Sequence, residues 1–278
     1  MKHIESEFEG RKGFKIYYQA WLPEVETKAV IQLVHGFGEH SGRYKNVIET
    51  LVPKGYAIYA DDHRGHGKSE GVRNFAESFD LFIEDERILY DIIRENHPDI
   101  PYFMLGHSMG SGIAQYFTSK YESLLDGLII SGAGNSVGED VSGFVKILSK
   151  VFSKLAPKMT FDSNLDPNFL SHDPKVVQAY IDDPLVNYEE VTARLAKEMM
   201  EYFYNLENIV EKFTLPLLVQ CGSGDKAVFG IEELKEHYQM EDKTIKIYDG
   251  LYHEVYNEST EKREQVLSDL VQWLESHI

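Results

Sequence analysis

The chain has 278 residues, with 28 Lys and Arg against 46 Asp and Glu, which gives a net charge of −18. That length buries a sizeable core without disulfides or metals as staples, and the acidic balance argues against a nucleic-acid binder, which needs cations to meet phosphates. A single cysteine, Cys221, excludes an internal disulfide and a multi-cysteine zinc site.

The opening MKHIESEFEG has no apolar centre, so no secretory signal is expected. No apolar run reaches the ~18 residues that cross a bilayer. These features point to a cytoplasmic protein. In chain order, Phe14 to Leu22 reads as a strand, Ala29 to Val34 as a buried strand, and 43–53 as a helix stopped by Pro53 and Gly55. Tyr56 to Ala60 is strand-like. The stretch 78–97 is helical, with Phe79, Phe82, Ile83, Ile88, Leu89, Ile92 and Ile93 on its apolar side. A strand at Tyr102 to Leu105, a helix at 109–120 and a strand at Gly127 to Ile130 follow. After 135–214, which reads as helices and loops with no clear strand, come strand 216–221, helix 230–240, strand 244–248 and helix 260–277. Such alternation predicts an α/β fold with a mostly parallel sheet flanked by helices. The expected division is a core of 1–134 and 215–278 with a helical cap, or lid, at 135–214.

Gly106-His107-Ser108-Met109-Gly110 is a G-x-S-x-G motif between an apolar strand (YFML) and a helix pattern. A serine hydroxyl is a weak nucleophile unless a tight turn presents it beside a base, and glycines let strand and helix approach at that turn. The bare motif also occurs as a plain glycine turn; the strand–turn–helix placement favours the nucleophile. An acid and a histidine should then follow in chain order. Asp225 comes just after the strand LPLLVQ, and His253 on the loop after TIKIY. The candidate roles are Ser108 as nucleophile, His253 as general base and acid, and Asp225 as its orienting carboxylate. Asp249 is a rival acid, disfavoured because it shares a loop with His253. The oxyanion needs two preset N–H donors: Met109, after the nucleophile, and Phe37, in His35-Gly36-Phe37-Gly38 after the strand AVIQLV. Asp61-Asp62-His63-Arg64-Gly65-His66-Gly67 could tempt a metal reading. No further cluster completes a site and a serine mechanism needs no metal, so no metal is expected and the stretch reads as a buttress beside the site.

These residues carry a resemblance. The segments HGFGEHSGRY (35–44), YADDHRGHGKSEG (59–71), LGHSMG (105–110), DDPLV (182–186), GSGD (222–225) and DKTIKIYDGLYHEVYNE (242–258) resemble the α/β-hydrolase-fold serine hydrolases of the monoacylglycerol lipase and lysophospholipase group. The resemblance implies that fold, with the cap inserted after the sixth strand, and hydrolysis of monoacylglycerols to fatty acid and glycerol through an acyl-enzyme, with no cofactor. It places the catalytic residues on Ser108, Asp225 and His253, the oxyanion donors on Phe37 and Met109, and glycerol contacts on Glu39 and Arg43. Tyr256 stands where some members have a second polar histidine, and Ser111 where the group usually has glycine. Lysophospholipids and short-chain esters are alternative substrates. A proline-type serine aminopeptidase is a further one; it would need an acidic cap feature, for which Glu198 and Glu201 are candidates.

At 141–155, Val141, Phe144, Val145, Leu148, Val151, Phe152 and Leu155 share one helical face, with Lys146, Lys150 and Lys154 opposite. Two readings stand: a lid helix with a solvated lysine face, or one that opens transiently toward membranes or lipid aggregates. Phe37, Met109, Phe144, Leu148 and Phe152 are candidates to line an acyl pocket. The sequence is silent on oligomeric state.

Overall fold

A computed structural model describes residues 1–137 and 151–278. Eight strands form one sheet: β1 (Lys2–Glu9), β2 (Lys15–Leu22), β3 (Ala29–Val34), β4 (Tyr56–Asp61), β5 (Tyr102–His107), β6 (Gly127–Ser131), β7 (Leu217–Gly222) and β8 (Lys243–Tyr248). Their spatial order is β1-β2-β4-β3-β5-β6-β7-β8. β1 pairs antiparallel with β2, and β2 with β4; every other neighbour is parallel. The fold is that of an α/β hydrolase.

Sidedness follows from the period of two along each strand. In β3, Val30 and Val34 face a core built with α2 (Asp80–Asn96) and α3 (Met109–Tyr121). Ile31 and Leu33 face the opposite core, built with α1 (Lys45–Leu51) and the C-terminal helix Thr260–Glu275. Both faces are covered, so β3, β5 and β6 read as unbroken buried runs rather than alternating ones.

β1 is absent from the strands expected above. Only Phe8 of its eight residues is fully buried, because an antiparallel edge strand leaves most side chains in solvent. It completes the six strands that precede residue 135. The expected helix 230–240 shrinks to Ile231–Leu234 and a 3₁₀ turn at Lys235–His237, with Tyr238 already extended and buried. The stretch 135–214 is not free of strands: Ser136–Val137 pairs with Val228–Phe229, and Thr160–Asp162 with Glu190–Thr192. Such two- and three-residue pairings leave no periodic signal. The same stretch holds α4 (Pro174–Asp182), capped by the Asp173 side chain, and α5 (Ala193–Tyr204), capped by Thr192.

The spatial order reverses direction between β3 and β5. Loops leaving the C-terminal ends of these two strands therefore diverge to opposite faces and open a crevice, where sites form in such sheets. His35–Gly38 leaves β3 there, and Ser108 leaves β5.

Candidate active site

Ser108 sits between β5 and α3 with φ +54° and ψ −121°, backbone angles that only glycine adopts readily. The flanking glycines answer to space. A Cβ on Gly110 would lie 2.1 Å from the Val34 carbonyl oxygen, and one on Gly106 2.3 Å from that of Gly110. The turn is fastened by Ser108 N–H donating to the Ser131 carbonyl at 3.0 Å. Ser111 is buried, and its hydroxyl donates to the Ser108 carbonyl at 2.7 Å. The serine is therefore accommodated where the resemblance would put glycine.

Asp225 and His253 follow neighbouring strands, β7 and β8. His253 Nδ1–H donates to Asp225 Oδ2 at 2.7 Å. The other carboxylate oxygen accepts from Ala227 N–H at 2.8 Å and Val228 N–H at 3.1 Å. Burial alone would raise Asp225; His253 and the backbone donors outweigh it and hold the carboxyl below its usual range. Burial disfavours a charged His253, yet the adjacent Asp225 carboxylate more than offsets this and the ring titrates above the usual histidine value. With Nδ1 committed, Nε2 is left as the proton acceptor. Asp249 is exposed, and among the described residues its carboxylate accepts only from Ser223 Oγ at 3.4 Å.

His253 meets the nucleophile turn through its neighbours. Its ring centroid lies 4.8 Å from that of His107, and its Cε1 would be 2.7 Å from a Cβ on Gly132, the residue after Ser131. Among the described residues no hydrogen bond joins Ser108 Oγ to His253, a contact that commonly tightens only with substrate in place.

The β3 loop abuts the serine. A Cβ on Gly36 would lie 3.1 Å from Ser108 Cβ. Gly36 N–H donates to Glu39 Oε1 at 2.7 Å, and Gly38 accepts from Asn187 N–H at 2.8 Å. Phe37 N–H makes no hydrogen bond among the described residues. Met109 is the first residue of α3, so its N–H has no acceptor within the helix.

Glu39 and Arg43 are brought together, but with each other. Arg43 Nη1 donates to Glu39 Oε2 at 2.6 Å and to Glu254 Oε1 at 2.7 Å, and Nη2 to Glu254 Oε2 at 2.9 Å. The guanidinium stacks 4.4 Å from the Tyr180 ring centroid, and Tyr44 OH donates to Glu39. Glu254, the third member, escaped sequence reasoning; nothing local marks a residue 211 positions from Arg43. Tyr256 is buried in the core with its hydroxyl donating to Gln220. Phe152 is half-buried, its ring centroid 5.8 Å from that of Phe161. Phe144 and Leu148 lie outside the described residues. Glu198 accepts from Phe79 N–H, and Lys197 bridges it to Glu201. A cavity of about 510 Å³ elsewhere is lined by Lys12, Phe75, Asp80, Lys158 and Arg194 and by none of the three candidate catalytic residues.

One buried trio has the composition of a cation site: Asp61, His63 and Glu86 place ligand atoms within 4.8 Å of one another. It lies behind the β3 loop and apart from Ser108.

Taken together, the arrangement can present an activated hydroxyl, move its proton and receive an oxyanion, which is the chemistry of acyl transfer. The family model described as "Serine aminopeptidase, S33" matches residues 25–260. A protein named monoacylglycerol lipase from Mycolicibacterium smegmatis is 37% identical over 99% of this chain and 98% of its own. The human protein named monoglyceride lipase is 31% identical over 94% and 87%. The crystal structure of Paleococcus ferrophilus monoacylglycerol lipase superposes with a TM-score of 0.83 at 30% identity, covering both chains fully.

Proposed function

The chain belongs to the monoacylglycerol lipase family of serine ester hydrolases, and from that premise we propose that it cleaves monoacylglycerols to fatty acid and glycerol. Ser108 Oγ attacks the ester carbonyl while its proton passes to His253 Nε2. Phe37 N–H and Met109 N–H receive the oxyanion. The imidazolium, steadied by Asp225, gives its proton to the glycerol oxygen as the C–O bond breaks. Water then repeats the sequence on the acyl-enzyme and releases the acid. The observation that carries this reading is the 2.7 Å His253–Asp225 bond on the rim that also holds Ser108 at φ +54°. Ester rather than peptide cleavage is favoured because Glu198 is spent on the start of α2 and on Lys197, leaving it unavailable to a substrate amine.

Residues 135–214 are proposed as the cap over a core of 1–134 and 215–278. Its exposed Val151, Leu155, Met159 and Phe161, beside exposed Lys154 and Lys158, suit transient contact with lipid aggregates. The lysine stripe of the sequence reading includes Lys146 and Lys150, which lie outside the described residues. No described helix is long and apolar enough to cross a membrane.

The test is a panel of monoacylglycerols of increasing chain length, short chromogenic esters, lysophospholipids and proline peptides, run with wild type and Ser108→Ala. Monoacylglycerol turnover that vanishes in Ser108→Ala is the expected result. Turnover surviving in that variant removes the nucleophile assignment, and peptide cleavage without ester cleavage overturns the class.

A further inference from the structure

Behind the β3 loop runs a chain of buried polar groups that the reaction above leaves unused. Tyr102 OH on β5 donates to Gln32 on β3, and the Gln32 amide donates to Glu86 Oε2 and, at 3.0 Å, to the Glu86 carbonyl on α2. Among the described residues Glu86 Oε1 and Asp61 Oδ1 each lack a hydrogen-bond partner, although both carboxyls are fully buried. His63 Nδ1 stands 3.3 Å from Glu86 Oε1 and 3.4 Å from Asp61 Oδ2. On the far side of the ring, His63 Nε2–H donates to the His35 carbonyl at 3.0 Å. That carbonyl is the point where β3 becomes the loop bearing Phe37. His35 returns the contact: its Nε2 accepts from His63 N–H at 2.9 Å, and its Nδ1–H donates to the Gly36 carbonyl at 2.7 Å. The two rings stack with centroids 3.8 Å apart.

We propose that His63 is a positioning residue for the oxyanion loop, fixing through its Nε2–H and its backbone N–H the residue from which Gly36 and Phe37 project. The inference deepens the acyl-transfer reading and rests on Phe37 N–H being an oxyanion donor. Two unpartnered carboxyl oxygens inside a core are costly unless they share a proton. The His35 carbonyl can only accept, so the His63 nitrogen facing it at 3.0 Å carries the proton. His35, by contrast, is held neutral by burial and by its histidine neighbours, as its acceptor role requires. The loop is then gripped on the His35, Gly36 and Gly38 backbones while Phe37 N–H has no partner among the described residues.

The experiment compares His63→Phe, which fills the ring's space among Phe82, His35 and His66 but donates nothing, with His63→Gln, whose amide can still reach the His35 carbonyl. Each is measured on a soluble short ester for kcat and KM, and for affinity toward a boronic acid that forms a tetrahedral adduct on Ser108. Misplacing an oxyanion donor by a fraction of an ångström should lower kcat in His63→Phe by about 30- to 100-fold, with KM within about threefold and boronate affinity falling in parallel. His63→Gln should recover kcat to within about tenfold of wild type. A His63→Phe enzyme with wild-type kcat, a change confined to KM, or a His63→Gln enzyme as impaired as His63→Phe would each overturn the proposal. If His63→Phe does not fold, His63→Leu takes its place as the variant that donates nothing, and the same comparison with His63→Gln decides: a loss in kcat that His63→Gln recovers supports the role, and equal kcat in the two refutes it. Failure of the parent reading shows separately, as ester turnover absent from wild type or surviving in Ser108→Ala.

Discussion

Asp225 Oδ2 sits 2.7 Å from His253 Nδ1, in a bond that joins the loops following two neighbouring parallel strands, β7 and β8. The bond sets both the tautomer and the basicity of the ring. In the proposed mechanism His253 must be neutral to take the Ser108 proton, so kcat/KM should fall as pH drops through a value above the ordinary 6.5. Asp225→Asn removes the group that raises the ring while its burial remains. Its acid limb should therefore move to lower pH, and kcat should drop by about 10⁴ through loss of the correct tautomer. A pH–rate profile of the two enzymes checks this; an unmoved acid limb would contradict the assigned pair.

Arg43 is the single cation between Glu39 and Glu254, all three being nearly buried. Burial alone would raise Glu39, but Arg43 outweighs it and the carboxyl is held well below its usual range. Arg43→Met leaves two buried carboxylates facing each other and should cost about 3–5 kcal/mol at pH 7. The sign follows from the depressed value. Glu39 stabilises the fold above the ordinary carboxyl range, and the gain is lost as pH falls through the folded-state value. The gap between wild type and Arg43→Met, read by denaturant titration, should accordingly narrow in acid. Glu39 also holds Gly36 N–H, so activity should fall with stability.

How far the molecule is legible in its sequence differs between these two sites. Ser108 and Asp225 could be placed because each follows a buried strand, and buried parallel strands announce themselves as apolar runs; His253 follows the edge strand β8, none of whose residues is buried, and was placed by the chain order that a serine nucleophile demands. β1 could not: its KHIESEFE buries one side chain fully. The apolar side of α2 packs on the core as its pattern predicts, but that pattern does not reveal two buried carboxyls on the helix, for a related reason. Asp85 and Glu86 are buried alongside Phe82, Ile83 and Leu89, and a pattern scored on apolarity puts such carboxyls outside. Their partners, Arg64 on one side and Asp61 with His63 on the other, lie more than twenty residues upstream. Glu254 escaped for the same cause, since only the assembled fold brings it to Arg43. Long-range charge pairing has no period, so the charged groups packed around the candidate site left no sequence signal, while the three proposed catalytic residues carried a motif and a chain order.

The strain at Ser108 predicts that two small substitutions there will differ in stability. Ser108→Ala keeps a Cβ at φ +54° and should melt near the wild-type temperature. Ser108→Gly relieves the backbone and should be more stable by about 1 kcal/mol or somewhat more. Both should lack esterase activity. Calorimetry on the pair reads the difference; equal melting temperatures would mean that the turn carries no strain.

The last prediction concerns the surface beside residues 151–155. Leu155 is 79% exposed, and Val151, Met159 and Phe161 are exposed near it. Apolar side chains held in water among lysines gain by entering a lipid interface, at about 25 cal/mol per Å² buried. Leu155→Ser combined with Met159→Ser removes two of these exposed apolar side chains. The double variant should keep its kcat/KM on a soluble short ester, because neither residue touches Ser108, Asp225 or His253. On emulsified monoacylglycerol, and in binding to vesicles with anionic lipid, it should weaken severalfold. Raising the salt should weaken wild-type vesicle binding as well, since the Lys154 and Lys158 contribution is screened over a Debye length of about 10 Å at 0.1 M. Equal activity of wild type and double variant on both substrates would show that this face does not meet lipid.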